Sequence, residues 1–78
     1  MHELKSSVDE ERVFFGIKEC LRNSSKLDKA FLASDHRGEV KKLLEANKIK
    51  TEVLDSSKEE VTDRLGLRFQ CEVFGIRK

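Results

Sequence analysis

The chain has no proline and no tryptophan, and only four glycines and two cysteines among its 78 residues. Without tryptophan, and with 37% apolar residues, a core must be assembled from Leu, Val, Ile, Ala and five Phe. That length suits one domain near the lower limit for a self-sufficient core, which leaves room for pairing with a second copy or a partner subunit. No apolar run approaches the ~20 residues of a membrane span, and residues 1–12 are too acidic and polar for a secretory signal. Cys20 and Cys71 lie far apart and match no metal or redox spacing. Both occupy apolar positions, which points to buried free thiols in a reducing compartment. The resulting expectation is an intracellular, cytoplasmic protein (nucleolar in a eukaryote), away from membranes and without metal or cofactor.

A dominant sign of charge is also missing. Charged residues make up 40% of the chain, yet the net charge is only +1, which excludes a general basic coat as the means of holding nucleic acid. The distribution is uneven. Residues 36–50 carry five Lys/Arg against two Asp/Glu, and Arg37, Lys41, Lys42, Lys48 and Lys50 form the basic part.

What is present reads as alternating helices and strands. Residues 1–7 are expected to be a flexible lead to a single domain spanning 8–78. Ser7-Val8-Asp9-Glu10 has the form of a capping box, which places a helix start at Val8. Val13, Phe14, Ile17, Cys20 and Leu21 recur at three and four and suit one helix from 8 to 22. Gly16 argues for a break, with Val13-Phe14-Phe15 extended before a new helix. Periodicity leaves both readings open. Lys29–Ala33 suits a strand covered on both faces. A helix follows with Val40, Leu43, Leu44 and Ala46 on one side, and then a strand over Lys50–Leu54. Ser56 and Ser57, with Glu59 and Glu60 three residues later, start a short helix that stops at Gly66. The last strand is expected over Arg68–Ile76. This order implies an α/β fold, a small three-layer α/β/α sandwich with a short mixed sheet.

Three stretches carry candidate chemistry. In Gly16-Ile17-Lys18-Glu19-Cys20-Leu21-Arg22 a glycine leads a helix whose Lys18, Glu19 and Arg22 share one face. Open backbone N–H groups, two cations and one carboxylate suit phosphate and base edges together. The plain alternative is an amphipathic helix with a solvated charged face. Ser34-Asp35-His36-Arg37-Gly38, directly after a strand, is the most enzyme-like stretch, and its plain alternative is a capping Asp35 with His36 in solvent. Lys41 and Lys42 can add unspecific phosphate attraction. A hydrolytic triad lacks a glycine-framed nucleophile near His2 or His36, and no phosphate-binding glycine loop occurs. Catalysis by this chain is not expected.

Taken in order, these segments resemble the ribosomal L-seven-Ae / L-thirty-e family of small kink-turn RNA-binding proteins. That family carries a G-x-[N/K]-[E/Q]-x-x-K motif at the start of a helix, met here by Gly16, Lys18, Glu19 and, with arginine for lysine, Arg22. An apolar strand ending in alanine and an acid follows, here Phe31-Leu32-Ala33-Ser34-Asp35, and then a helix, a strand, a short helix ending at glycine and a last strand. The resemblance spans about residues 13–76. It implies a non-catalytic component of a ribonucleoprotein, with structured RNA and other particle subunits as partners. It also implies that Gly16, Lys18, Glu19 and Arg22 contact sheared base pairs, and that a loop at Leu67-Arg68 touches bulged bases. The segment around Phe15-Gly16-Ile17, Arg37-Gly38 and Arg68–Val73 also resembles the substrate-recognition domain of SpoU-type RNA ribose methyltransferases, and some relatives of this fold act as protein-interaction adaptors. The Asp35-His36 turn resembles a sugar-phosphate isomerase segment of the ribose-5-phosphate isomerase B type.

Overall fold

The computed structural model describes residues 2–78; Met1 and the side chains of His2 and Glu3 lie outside the described residues. The elements are α1 (His2–Asp9), β1 (Val13–Phe15), α2 (Ile17–Arg22), a 3-10 turn at Ser24–Lys26, β2 (Leu27–Leu32), α3 (Gly38–Ala46), β3 (Thr51–Val53), α4 (Lys58–Leu65) and β4 (Val73–Arg77). The four strands form one mixed sheet in the order β1-β4-β2-β3. β4 is antiparallel to both β1 and β2, and β2 is parallel to β3 across the α3 crossover.

Side-chain alternation splits the core in two. Phe14, Ala30, Leu32 and Val73 point to one face, where Cys20 of α2 and Val40 and Leu44 of α3 cover them. Val13, Phe15, Phe31, Phe74 and Ile76 point to the other, under Leu4 and Val8 of α1 and Val61 and Leu65 of α4. The result is the expected three-layer sandwich. A register irregularity between Leu27 and Lys29 brings Leu27 onto the same face as Ala30, three residues on. Among the described residues no buried side-chain polar atom lacks a partner, and no helix is long and apolar enough to cross a membrane.

Two boundaries differ most from the sequence expectation. The flexible lead is replaced by a helix from His2, which ends where a helix start was expected. Leu4 is fully buried and Val8, one turn later, packs beside it. Burying a leucine contributes roughly 1.5–3 kcal/mol, more than the ~1 kcal/mol of a cap. Ser7 is accordingly buried, and the helix closes as Arg12 N–H donates to Ser7 O at 2.8 Å, with Glu11 left-handed at φ 57°. The last strand begins at Val73, not Arg68. Cys71 packs on the α1–α4 side while Val73 packs on the α2–α3 side, so the expected alternation through Phe69, Cys71 and Val73 breaks. Residues 66–72 form an irregular segment instead, with Phe69 half exposed.

Candidate functional site

β1 pairs with β4 as far as Phe15–Phe74, and Gly16 N–H extends that ladder by donating to Val73 O at 3.0 Å. Gly16 then adopts φ 89°, ψ 157°, a region essentially reserved for glycine. The chain leaves the sheet there and enters α2, so Gly16 starts the helix and Val13–Phe15 is a strand. Cys20, fully buried, sets the height of α2. Opposite it lies Gly75 of β4, where an added Cβ would fall 2.7 Å from Cys20 Sγ and 2.9 Å from Leu27 Cδ2. A bare backbone at Gly75 therefore lets α2 sit directly on the sheet and turns Lys18, Glu19 and Arg22 outward, all three exposed.

A cleft of ≈ 510 Å³ opens beside this helix start. Phe15, Gly16, Ile17, Lys18 and Glu19 form one wall, and Arg37, Lys58, Gln70, Cys71 and Glu72 form the rest. Arg37 reaches from the turn before α3 to Glu72 just ahead of β4: Nε donates to Glu72 Oε1 at 2.9 Å and Nη2 lies 2.8 Å from the same oxygen. The hydrogen bond to Glu72, and then its charge, raise the pKa of the guanidinium further. Glu19 pairs with Arg22 at 3.4 Å, both exposed, an arrangement worth at most a few tenths of a kcal/mol. Lys18 and Lys58 have no ion-pair partner among the described residues and are the free cations at the cleft. Burial holds the Cys71 thiol above its usual pKa, so it is a neutral group in the wall.

Asp35 and His36 are used structurally. Asp35 Oδ1 accepts from Lys58 N–H at 2.9 Å and so caps α4, not the α3 helix that follows it in sequence. His36 is half-buried, not in solvent, and its Nδ1 lies 2.7 Å from Ala33 O, which requires the proton on Nδ1. Leu67 and Arg68 do not line the cleft. Leu67 N–H donates to Thr62 O at 3.0 Å behind the left-handed Gly66, and its side chain joins the α1–α4 core. Arg68 is exposed to one side. The loop wall is supplied two to four residues later by Gln70–Glu72. Of the cleft residues not foreseen, Arg37 stood in a basic strand-to-helix turn that hinted at a site, whereas Lys58 and Glu72 carry no local signal.

The sequence matches no protein-family model and no curated protein. Solved structures do match. A protein of unknown function from Bacillus halodurans C aligns with a TM-score of 0.79 and 17% identity, over 96% of this chain and 80% of that one. A Giardia lamblia 15.5kD RNA binding protein aligns with a TM-score of 0.73 and 17% identity, over 96% of this chain and 68% of the other. The three chains share one fold. At this identity the likeness is to the architecture, while the identity of the cleft residues belongs to this chain.

Proposed function

We propose that the chain binds structured RNA of the kink-turn kind, as a non-catalytic component of a cytoplasmic ribonucleoprotein, through the cleft between α2 and residues 70–72. The observation that carries this reading is the left-handed Gly16, which opens α2 beside the cleft with Lys18 and Glu19 on its wall. The fold shared with an RNA binding protein supports it, as does the resemblance of the Gly16–Arg22 motif. A-form RNA hides its base edges in a deep, narrow groove, and proteins read sequence where the helix is irregular. A glycine-led helix end with a free ammonium and an acceptor carboxylate suits such irregular sites. Lys18 meets phosphate or a base carbonyl, and Glu19 accepts from a base amino group. Arg22 is held to Glu19 only by an exposed pair, so it is free to exchange that partner for phosphate. The absence of catalysis is part of the proposal, supported by the engagement of Asp35 and His36 with backbone groups.

A titration against a kink-turn RNA and a plain duplex of equal length, at two salt concentrations, tests the reading. The wild type should prefer the kinked RNA, and Lys18→Ala/Arg22→Ala should lose that preference and flatten the salt slope by about one per phosphate contact removed. Equal, strongly salt-dependent binding to both RNAs would reduce the site to general electrostatics. No binding to either would overturn the proposal.

A further inference from the structure

β3 is the last strand of the sheet at one side and pairs with β2. Ala30 N–H donates to Lys50 O at 2.8 Å and Leu54 N–H to Leu32 O at 2.7 Å. Residues 50, 52 and 54 therefore direct their backbone groups at β2, while Thr51 and Val53 direct theirs at the outer edge. That edge lies open to solvent: Glu52 is exposed, and Val53 is 44% exposed although apolar. Thr51 stands level with Ala30 and Val53 with Leu32, which puts both on the α2–α3 face. Glu52, level with Phe31, points to the other face, and Lys50 shares that side two residues earlier. Lys50 and Glu52 are both exposed and have no ion-pair partner among the described residues. An open edge of this kind is a template for another strand.

We infer that β3 is a self-association surface, on which a second copy of this chain adds its own β3, antiparallel, about a two-fold axis at Thr51. Charge selects that occupant and that register. Only residues whose backbone groups point outward can bond across the edge, so Thr51 and Val53 must face residues of the same kind. With Thr51 on the axis, its N–H and C=O meet those of the second Thr51, and Lys50 of each copy stands directly opposite Glu52 of the other. Centring on Glu52 would set carboxylate against carboxylate, and centring on Lys50 ammonium against ammonium. Centring on Val53 would pair neither charge. The contact is isologous, so the matched Lys50–Glu52 pair occurs twice. A lysine ordinarily blunts an edge strand; here Glu52 of the second copy answers it. The axis runs normal to the sheet, so α3, which covers β2 on the α2–α3 face, comes to lie beside its copy and enlarges the contact. A contact built on three-residue strands still falls at the small end of specific interfaces, which makes the dimer a weak one. None of the residues lining the cleft lies on β3, so the edge is a surface separate from the proposed RNA site.

Sedimentation of the full chain over a concentration series, from roughly micromolar to roughly millimolar, tests this. Wild type should pass reversibly from monomer to dimer within that range, and less readily at high salt. Glu52→Lys and Lys50→Glu should each weaken the dimer about tenfold, because two attractive pairs become two repulsive ones. Lys50→Glu/Glu52→Lys restores opposite charges across the axis and should recover association to within about threefold of wild type. Both side chains are exposed, so the variants should fold, and recovery in the double variant is a result that a merely structural role would not give. A chain that stays monomeric at the highest concentration overturns the inference and leaves the edge to an extended segment of another protein. A dimer indifferent to the single reversals, or one that the double reversal does not restore, overturns it as well and puts the contact elsewhere on the molecule.

Discussion

On the α2–α3 face the sheet offers Ala30 and the bare backbone of Gly75, and Cys20 presses directly onto it. On the α1–α4 face the same strands carry Phe15, Phe31 and Phe74, a thick aromatic layer in which Phe15 stands edge-on to Phe74 at 6.0 Å and to Phe69 at 5.5 Å. The difference separates two ways of positioning a site. α2 and the Gly16 turn are placed by missing volume, which allows one close seating. Residues 66–72 are placed by large rings that stack outward until the last of them, Phe69, is half in water. Each face also holds one cysteine, Cys20 on the thin side and Cys71 on the thick side.

The largest test of this contrast compares two rings of the same stack. Phe74→Ala removes a fully buried ring and should cost about 3–5 kcal/mol, a large share of the stability available to so small a domain. Phe69→Ala removes a half-exposed ring and should cost less than about 1.5 kcal/mol, the size of an edge-to-face pair. Denaturant midpoints check both, and similar losses would show that the outer ring is as deeply committed as the inner.

A smaller effect is expected on the thin face. Gly75→Ala overpacks Cys20 and Leu27 and should cost about 1–3 kcal/mol. Adding Cys20→Ala should recover part of that loss, and the coupling can be read from a double-mutant cycle. Additive losses would mean that Cys20 does not set the height of α2.

The smallest effect is in pH. Burial first, then the nearby Cys71, pushes the Cys20 thiol from its ordinary 9.0 up to about 12. The neutral form is the one the fold favours, so the associated stability is complete below about pH 9 and is lost as pH rises towards 12. Stability measured across that range should fall in the wild type and fall less in Cys20→Ala. Native-state thiol labelling should be slow at both cysteines, and faster at Cys71, which is 8% exposed against 0% for Cys20.

How much of this was legible in the sequence depends on whether the deciding force was local. Two stretches have the Ser-x-x-Glu form. At Ser57 it works as read: Glu60 N–H donates to Ser57 Oγ at 3.2 Å, and Ser57 N–H to Glu60 Oε1 at 3.1 Å. The Ser57 N–H, and then the Ser57 hydroxyl, acting on the carboxylate hold Glu60 below the usual carboxylate pKa. At Ser7 the same pattern falls on the end of a helix instead of its start, because Leu4 upstream is drawn into the core. Gly66 as a helix stop was legible as a matter of backbone torsion, and Gly16 marked a break, but periodicity left open whether it starts a helix or bends one. The early end of the Arg68–Ile76 pattern was not, because Cys71 and Val73 are sorted to opposite faces by helices far away in sequence. The same holds for the site. Lys18, Glu19 and Arg22 follow from helical spacing, but the Arg37–Glu72 pair spans 35 positions, and the link from Asp35 to Lys58 spans 23. No local pattern announces either.

The sheet order has a kinetic consequence. β1 and β2 do not pair with each other; β4 lies between them and pairs Val13 with Ile76 and Leu32 with Val73. Until β4 docks, the Gly16 turn has no ladder to hang from, because its amide bonds to Val73 O. Closure must therefore wait on contacts about sixty residues apart along the chain, which slows folding relative to a helical bundle of this size. It also couples distant parts. The amide protons of β1 and of β2 should exchange through one shared opening, and the cleft should form in the same step as the strand that divides the two faces.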